Sequence, residues 1–246
     1  MEPLIIGEVA KSTGVSTDNT SIHACPIINH IRGIAKVLVV GLLATSMFLS
    51  VPTSIYAKPI SYVGGTMMMQ ENDETGYMLS LDYTFSSHYA VSLYAKKENG
   101  GKEFATIGPQ LNTLIKRWNL SEGQGNIFNL TGAGISHYHG ESEPAVWTCF
   151  LADYETRRLI TSYELRLMYA EGIEKSAWQR ARVGFAPYLA NYDALHTWLM
   201  VQVDHHPAKD ETIVVTPLVR FFYKTILVEA GYSSNDHVMV NWFLQF

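Results

Sequence analysis

The chain has 246 residues, of which 47% are hydrophobic, 12% aromatic and only 17% charged. That balance excludes a disordered protein, and a formal charge of −5 without a long run of one sign offers no basic footprint for nucleic acid. No Gly-rich phosphate loop and no paired CxxC occurs, so no cofactor is expected.

The first segment reads as an address. The one long apolar run, residues 37–51, is preceded by His30, Arg32 and Lys36 and followed by a short polar stretch ending in Ala57. A basic flank, an apolar core and small residues at the exit describe a secretory signal. A spanning helix needs roughly 20 apolar residues, more than this run supplies. Residues 1–57 are therefore expected to form a leader cleaved after Ala57, with Lys58 the first mature residue. Cleavage would remove Cys25 and leave Cys149, in the apolar stretch AVWTCFL, as a buried thiol.

From Lys58 onward the apolar period is two. Tyr77, Leu79, Leu81, Tyr83 and Phe85 alternate with Ser80, Asp82, Thr84 and Ser86. Leu159, Tyr163, Leu165, Leu167 and Tyr169 oppose Ser162, Glu164, Arg166 and Met168. Leu195, Leu199, Val201 and Val203 oppose His196, Gln202 and Asp204. Such alternation marks strands of a sheet with one apolar face. Turn signals such as Asn99-Gly100-Gly101, Gly140, Gly172 and Ser233-Ser234-Asn235 divide residues 58–246 into about twelve strands. They are expected to start near Ile60, Gly76, His88, Phe104, Asn126, Pro144, Arg158, Ala177, Ala194, Thr212, Ile226 and His237, with Met67 to Met69 ending the first.

A soluble periplasmic β-protein would show the same alternation. Three details favour an all-β, antiparallel up-and-down transmembrane β-barrel of about ten to twelve strands, with both ends in the periplasm. The polar faces carry Glu164, Arg166, Arg180, Arg182, Arg220, Lys224 and Glu229, while the opposite faces are apolar and tipped with aromatics; that suits a polar lumen within a lipid-facing band. Backbone groups in lipid must pair within the sheet, which demands closure. The chain ends Val238, Val240, Trp242, Leu244, Phe246 at alternate positions. This ending resembles the terminal signature by which insertion machinery recognises outer-membrane barrels, so that machinery and outer-membrane lipid are the expected partners.

Inward charges need partners, so the seven named charges are expected to form an ion-pair plug; a selectivity ring in a narrow channel for small solutes or ions is the alternative. His137 and His139, two apart on one strand, should share a face and are the candidate metal ligands, with His205-His206 and Met67 to Met69 as weaker ones. A membrane-embedded lipid hydrolase would need a Ser and His together, and the pair Ser136-His137 should point to opposite faces. No catalytic residue is therefore assigned, and the chain reads as a non-enzyme.

Several stretches, among them Pro59-Ile-Ser-Tyr-Val-Gly-Gly65, Leu114-Ile-Lys-Arg-Trp-Asn119, Ala181-Arg-Val-Gly-Phe-Ala-Pro-Tyr188, residues 195–205 and Val228-Glu-Ala-Gly-Tyr232, resemble a family of small proteobacterial outer-membrane proteins. The long leader and Met67 to Met69 depart from that pattern. The resemblance implies the barrel fold and the outer membrane, and a link to gene neighbourhoods for copper and other heavy-metal efflux. It therefore suggests a role accessory to heavy-metal tolerance, and carries no catalytic or binding residue onto this chain.

Overall fold

The computed structural model describes residues 58–73, 75–99, 103–191, 193–207 and 212–246. The expected leader, with its cleavage site, lies outside these residues. The described chain forms twelve strands: β1 (Thr66–Asp73), β2 (Gly76–Thr84), β3 (Tyr89–Glu98), β4 (Ala105–Asn119), β5 (Gly123–Tyr138), β6 (Glu141–Thr156), β7 (Leu159–Ala170), β8 (Glu174–Phe185), β9 (His196–His205), β10 (Ile213–Tyr223), β11 (Ile226–Tyr232) and β12 (Val238–Gln245). Each pairs antiparallel with its neighbours in sequence, and β12 pairs with β1 to close the barrel. Closure leaves no unpaired edge.

Period-two alternation sorts every strand into an inward and an outward row. In β2, Met78, Ser80, Asp82 and Thr84 are buried while Tyr77, Leu79, Leu81 and Tyr83 are exposed. The same parity exposes Val238 and Val240 on β12 and buries Met239, Asn241 and Phe243. Val238, Val240, Trp242, Leu244 and Phe246 thus share the outward row, as the alternation requires. The usual burial rule is inverted: the exposed surface is a belt of Leu, Val, Ile and aromatics, and much of the buried side is polar.

Strand direction alternates, so both ends of the described chain lie at one end of the barrel, here the terminal end, with the connections after β2, β4, β6, β8 and β10. The distal end carries the other connections. At β5–β6, His139 (φ 50°) and Gly140 (φ 91°) form a two-residue turn with both φ positive. That backbone suits the right-handed twist of the flanking strands, and Gly adopts it without steric cost.

The expected first strand is corrected. It begins at Thr66, and Met67 to Met69 open it rather than end it. Lys58–Ile60 instead lies in the lumen at the terminal end, while Tyr62, Val63 and Gly64 are exposed. Ile60 is buried against Ala90, Leu114, Phe128, Leu130 and Cys149. The Pro59 carbonyl accepts from Asn112 Nδ2 at 3.1 Å, and Lys58 Nζ donates to Gln124 Oε1 at 2.6 Å. Gly64 (φ 87°) turns the chain into β1. An apolar side chain such as Ile60 gains more from the lumen core than from a place on a strand edge.

Gly132 on β5 faces Trp147 on β6, whose indole lies over it and donates from Nε1 to Gln110 Oε1 at 2.8 Å. A Cβ at Gly132 would meet that ring at 2.3 Å. Gly132→Val should therefore displace Trp147 and lower unfolding stability by about 1–3 kcal/mol, read as an earlier urea midpoint by tryptophan fluorescence of the refolded protein.

Candidate functional site

The barrel interior holds a network of charges supplied by the inward rows. Arg180 is its centre. Its Nε donates to Asp204 Oδ1 at 2.7 Å, Nη2 to Asp73 Oδ2 at 2.6 Å and Nη1 to Glu71 Oε2 at 3.4 Å. Asp204 is the register partner of Arg180 on β9, whereas Glu71 and Asp73 stand on β1, five strand positions round the wall. The guanidinium is thus a crossbar through the lumen, and it is 3% exposed. Three carboxylates on three of its nitrogens offset the loss of water that burial imposes.

The other arginines make shorter ties. Arg166 Nη2 reaches Glu164 at 2.8 Å and Nη1 donates to the Tyr94 hydroxyl at 3.2 Å, tying β7 to β3. Arg220 binds Glu229 through Nε at 2.7 Å and Nη2 at 2.6 Å, while Arg182 reaches the same Glu229 only at 3.5 Å. Asn241 Nδ2 donates to Glu229 at 3.0 Å, and Arg182 Nε donates to Gln202 Oε1 at 2.7 Å. Trp178 gathers three cations around its ring: Arg180 at 4.9 Å, Arg166 at 5.1 Å and the Lys96 ammonium at 5.7 Å. Lys96 also pairs with Glu98.

Six of the seven expected lumen charges therefore converge. Lys224 does not: it lies exposed in the β10–β11 turn with φ 53° and its ammonium 5.2 Å from the Tyr223 ring. The strand ends at Tyr223, so the alternation that would have carried Lys224 inward stops one residue short. Missed beforehand were Glu71, Asp73, Lys96, Glu98, Asp153 and Lys58. The first four share the inward parity of β1 and β3, a signal present in the sequence.

The candidate histidine pair is not assembled. His137 lies on β5 facing outward, with Nδ1 3.0 Å from Ser142 Oγ, while His139 sits in the turn with its ring 4.3 Å from that of Tyr138. The strand ends between them, which breaks the shared face. Among the described residues no group of three His, Cys, Asp or Glu side chains could hold a metal ion. Met67 and Met69 turn inward to pack around Leu227 and Phe243. His206 is buried beside Trp178, their rings 5.6 Å apart. Ser136 is buried and shares a 2.6 Å hydrogen bond with Thr106, so it and His137 occupy opposite faces. Cys149 is buried, its Sγ donating to Glu164 at 3.2 Å.

The two halves of the lumen differ. Towards the distal end, Phe104 and Ile173 fold in from their connections onto Ala145 and Ala170, with Tyr138 and Met168 packed beside them. Below them lies the layer of Trp178, Lys96 and the Tyr94–Trp147 pair, whose rings are 5.0 Å apart. Towards the terminal end a cavity of about 370 Å³ extends from the arginine network to the β6–β7 and β8–β9 connections.

No protein-family model matches this chain, and no curated protein matches it. Among solved structures, a chain described as "Unveiling the Mechanism Behind the in-meso Crystallization of Membrane Proteins" is similar with a TM-score of 0.43 at 10% identity, over 75% of this chain and 83% of that one. A likeness of that size carries no argument about this chain.

Glu229, 2% exposed, is the shared counter-charge of Arg182 and Arg220. Glu229→Ala should leave both guanidinium groups without it and cost about 3 kcal/mol. Lys224→Ala should leave the unfolding midpoint unchanged, because the exposed Lys224 joins no ion pair in the lumen. Denaturant titration of both variants in detergent checks the contrast.

Proposed function

We propose that the protein is an integral outer-membrane β-barrel of a Gram-negative bacterium, without enzymatic activity, whose ion-paired lumen is closed to ion flow. The observation that carries this reading is the inverted burial. A closed sheet presents Leu81, Leu93, Ile107, Val146, Val201 and Val215 outward around its circumference, while Asp82, Gln110, Gln202 and Asp204 fill the inside. Soluble proteins rarely expose apolar patches above a few hundred Å², whereas a lipid-facing band around a polar interior is the expected surface of a membrane barrel.

Aromatics border the belt. Tyr83, Phe85, Tyr89, Trp118, Phe185, Tyr223 and Phe246 rim the terminal end, and Tyr77, Tyr169 and Tyr232 the distal end. A tilted spanning strand needs about 9–11 residues. At 16 residues each, β5 and β6 exceed that, so the hairpin projects and its polar tip, with His137 and His139, leaves the belt. Cleavage after Ala57 would leave a mature chain whose first residues, Lys58–Ile60, lie in the lumen, with the terminal end in the periplasm.

A narrow channel is the weaker reading, because the Arg180 crossbar and the Phe104–Ile173 layer stand in series along the lumen. A part in heavy-metal tolerance rests on the family resemblance alone; copper sensitivity of a deletion strain tests it.

The full-length gene, expressed and fractionated, should yield an outer-membrane band that runs faster unboiled than boiled and whose first residue is Lys58. In planar bilayers the purified protein should show no discrete conductance, and Arg180→Ala should introduce it. Recovery in the soluble periplasm, or steady conductance by the unaltered protein, would overturn the corresponding half of the proposal.

A further inference from the structure

The cavity in the terminal half is lined at its mouth by Thr156 and Arg157 from the β6–β7 connection and by Leu189 and Ala190 from the β8–β9 connection. Among the described residues no distal connection contributes to its lining, so a ligand would enter from the terminal end. Its volume, about 370 Å³, lies within the range of small-molecule sites. It is too small for a lipid or a long peptide.

One side of this space is apolar: Trp198, Phe222, Leu227, Phe243 and Met67 line it, the Phe222 and Phe243 rings stacked at 6.3 Å. The rest of the lining mixes apolar, neutral polar and charged side chains, and three of the charged groups are incompletely paired. Arg182 and Arg220 share the single carboxylate of Glu229, and Arg182 Nη2 is a buried donor with no acceptor. Arg166 Nε is a second such donor. On β6, Glu155 has no hydrogen bond or ion pair among the described residues; the opposite charges facing it are Lys58, which is bonded to Gln124 and Asp153, and Arg220, which is held by Glu229.

The lining thus leaves a guanidinium donor of Arg182 without an acceptor on β8 and the Glu155 carboxylate without a hydrogen bond or ion pair on β6, beside an apolar wall. A buried donor without an acceptor, such as Arg182 Nη2, is costly and rare in native interiors, while half-buried Glu155 presents a carboxylate to the same space. A ligand with a single charge would satisfy one of these places and leave the other. We propose that the cavity binds a small zwitterion with an apolar side chain, of the class of the apolar α-amino acids. Its carboxylate takes the vacant donor of Arg182, its ammonium faces Glu155, and its side chain packs against Trp198, Phe222 and Phe243.

The proposal rests on the lumen and not on where the barrel resides. A protein that shifts on heating in the outer-membrane fraction but fails the binding test would leave the proposed function standing and remove this inference alone. Calorimetric titration of the refolded full-length mature chain in detergent would use three probes: phenylalanine, 3-phenylpropionate, which lacks the amine, and 2-phenylethylamine, which lacks the carboxylate. Phenylalanine should bind about tenfold or more tighter than either. Glu155→Gln should weaken phenylalanine and 2-phenylethylamine and leave 3-phenylpropionate unchanged; Arg182→Gln should weaken phenylalanine and 3-phenylpropionate and leave 2-phenylethylamine unchanged.

Glu155 holds no partner, so its variant keeps the test sound even where Arg182→Gln impairs folding, which the heat-shifted band would reveal. Equal binding of all three probes, an inert Glu155→Gln, or no heat with phenylalanine at millimolar concentration would each overturn the proposal.

Discussion

A fully desolvated guanidinium sits at the centre of the fold, and the rest of the interior is arranged around it. Arg180 reaches Asp204 on the adjacent strand and Glu71 and Asp73 across the lumen, so one side chain fixes the distance between opposite walls. A twelve-stranded sheet closed on itself encloses more space than aliphatic side chains alone would fill. Long, multidentate arginines solve that problem, because each spans several ångströms and meets a carboxylate at its far end. The cost is electrostatic: every inward cation demands an inward anion, which accounts for the many acids on β1, β3, β6, β7, β9 and β11.

The two halves of the lumen are filled by different physics. Near the distal end aromatic and aliphatic residues pack as in an ordinary protein core, and Trp178 mediates between that core and the charges by presenting its π face to three cations. Near the terminal end the filling is incomplete, and the segment carrying Ile60 supplies part of what the strands lack. The interior is therefore graded, from dry packing at one end to a partly open, polar chamber at the other.

Most of the architecture was legible because a closed barrel obeys one strict rule. Alternate residues face outward or into the lumen, and eleven of the twelve strand starts expected from that rule fall within three residues of those observed. The failures occur where strands stop. Lys224 and His139 were read as continuing the alternation of β10 and β5, yet both fall in two-residue turns with positive φ, where parity has no meaning. The alternation places a strand start near Ile60, an apolar residue that follows Lys58-Pro59. Nothing local distinguishes it from a residue that folds back into the barrel.

The pairing of the charges was legible only in part. Parity places Glu164, Arg166, Arg180, Arg182, Arg220 and Glu229 inside, but which acid meets which base depends on shear and on long side chains crossing the lumen, as with Arg180 and Asp73, 107 positions apart in sequence.

The position of Lys58–Ile60 inside the lumen also constrains the order of assembly. The seam between β1 and β12 joins the two ends of the described chain, the pairing with the greatest sequence separation in the sheet, and such contacts form last where local hairpins can form first. The segment's carbonyl and ammonium contacts are to β4, β5 and β6 on the far side, so its docking and the closing of that seam draw on the same space. A bulky fusion placed directly before Lys58 would therefore compete with closure itself, whereas an insertion at His139–Gly140 would be borne at the tip of a completed hairpin.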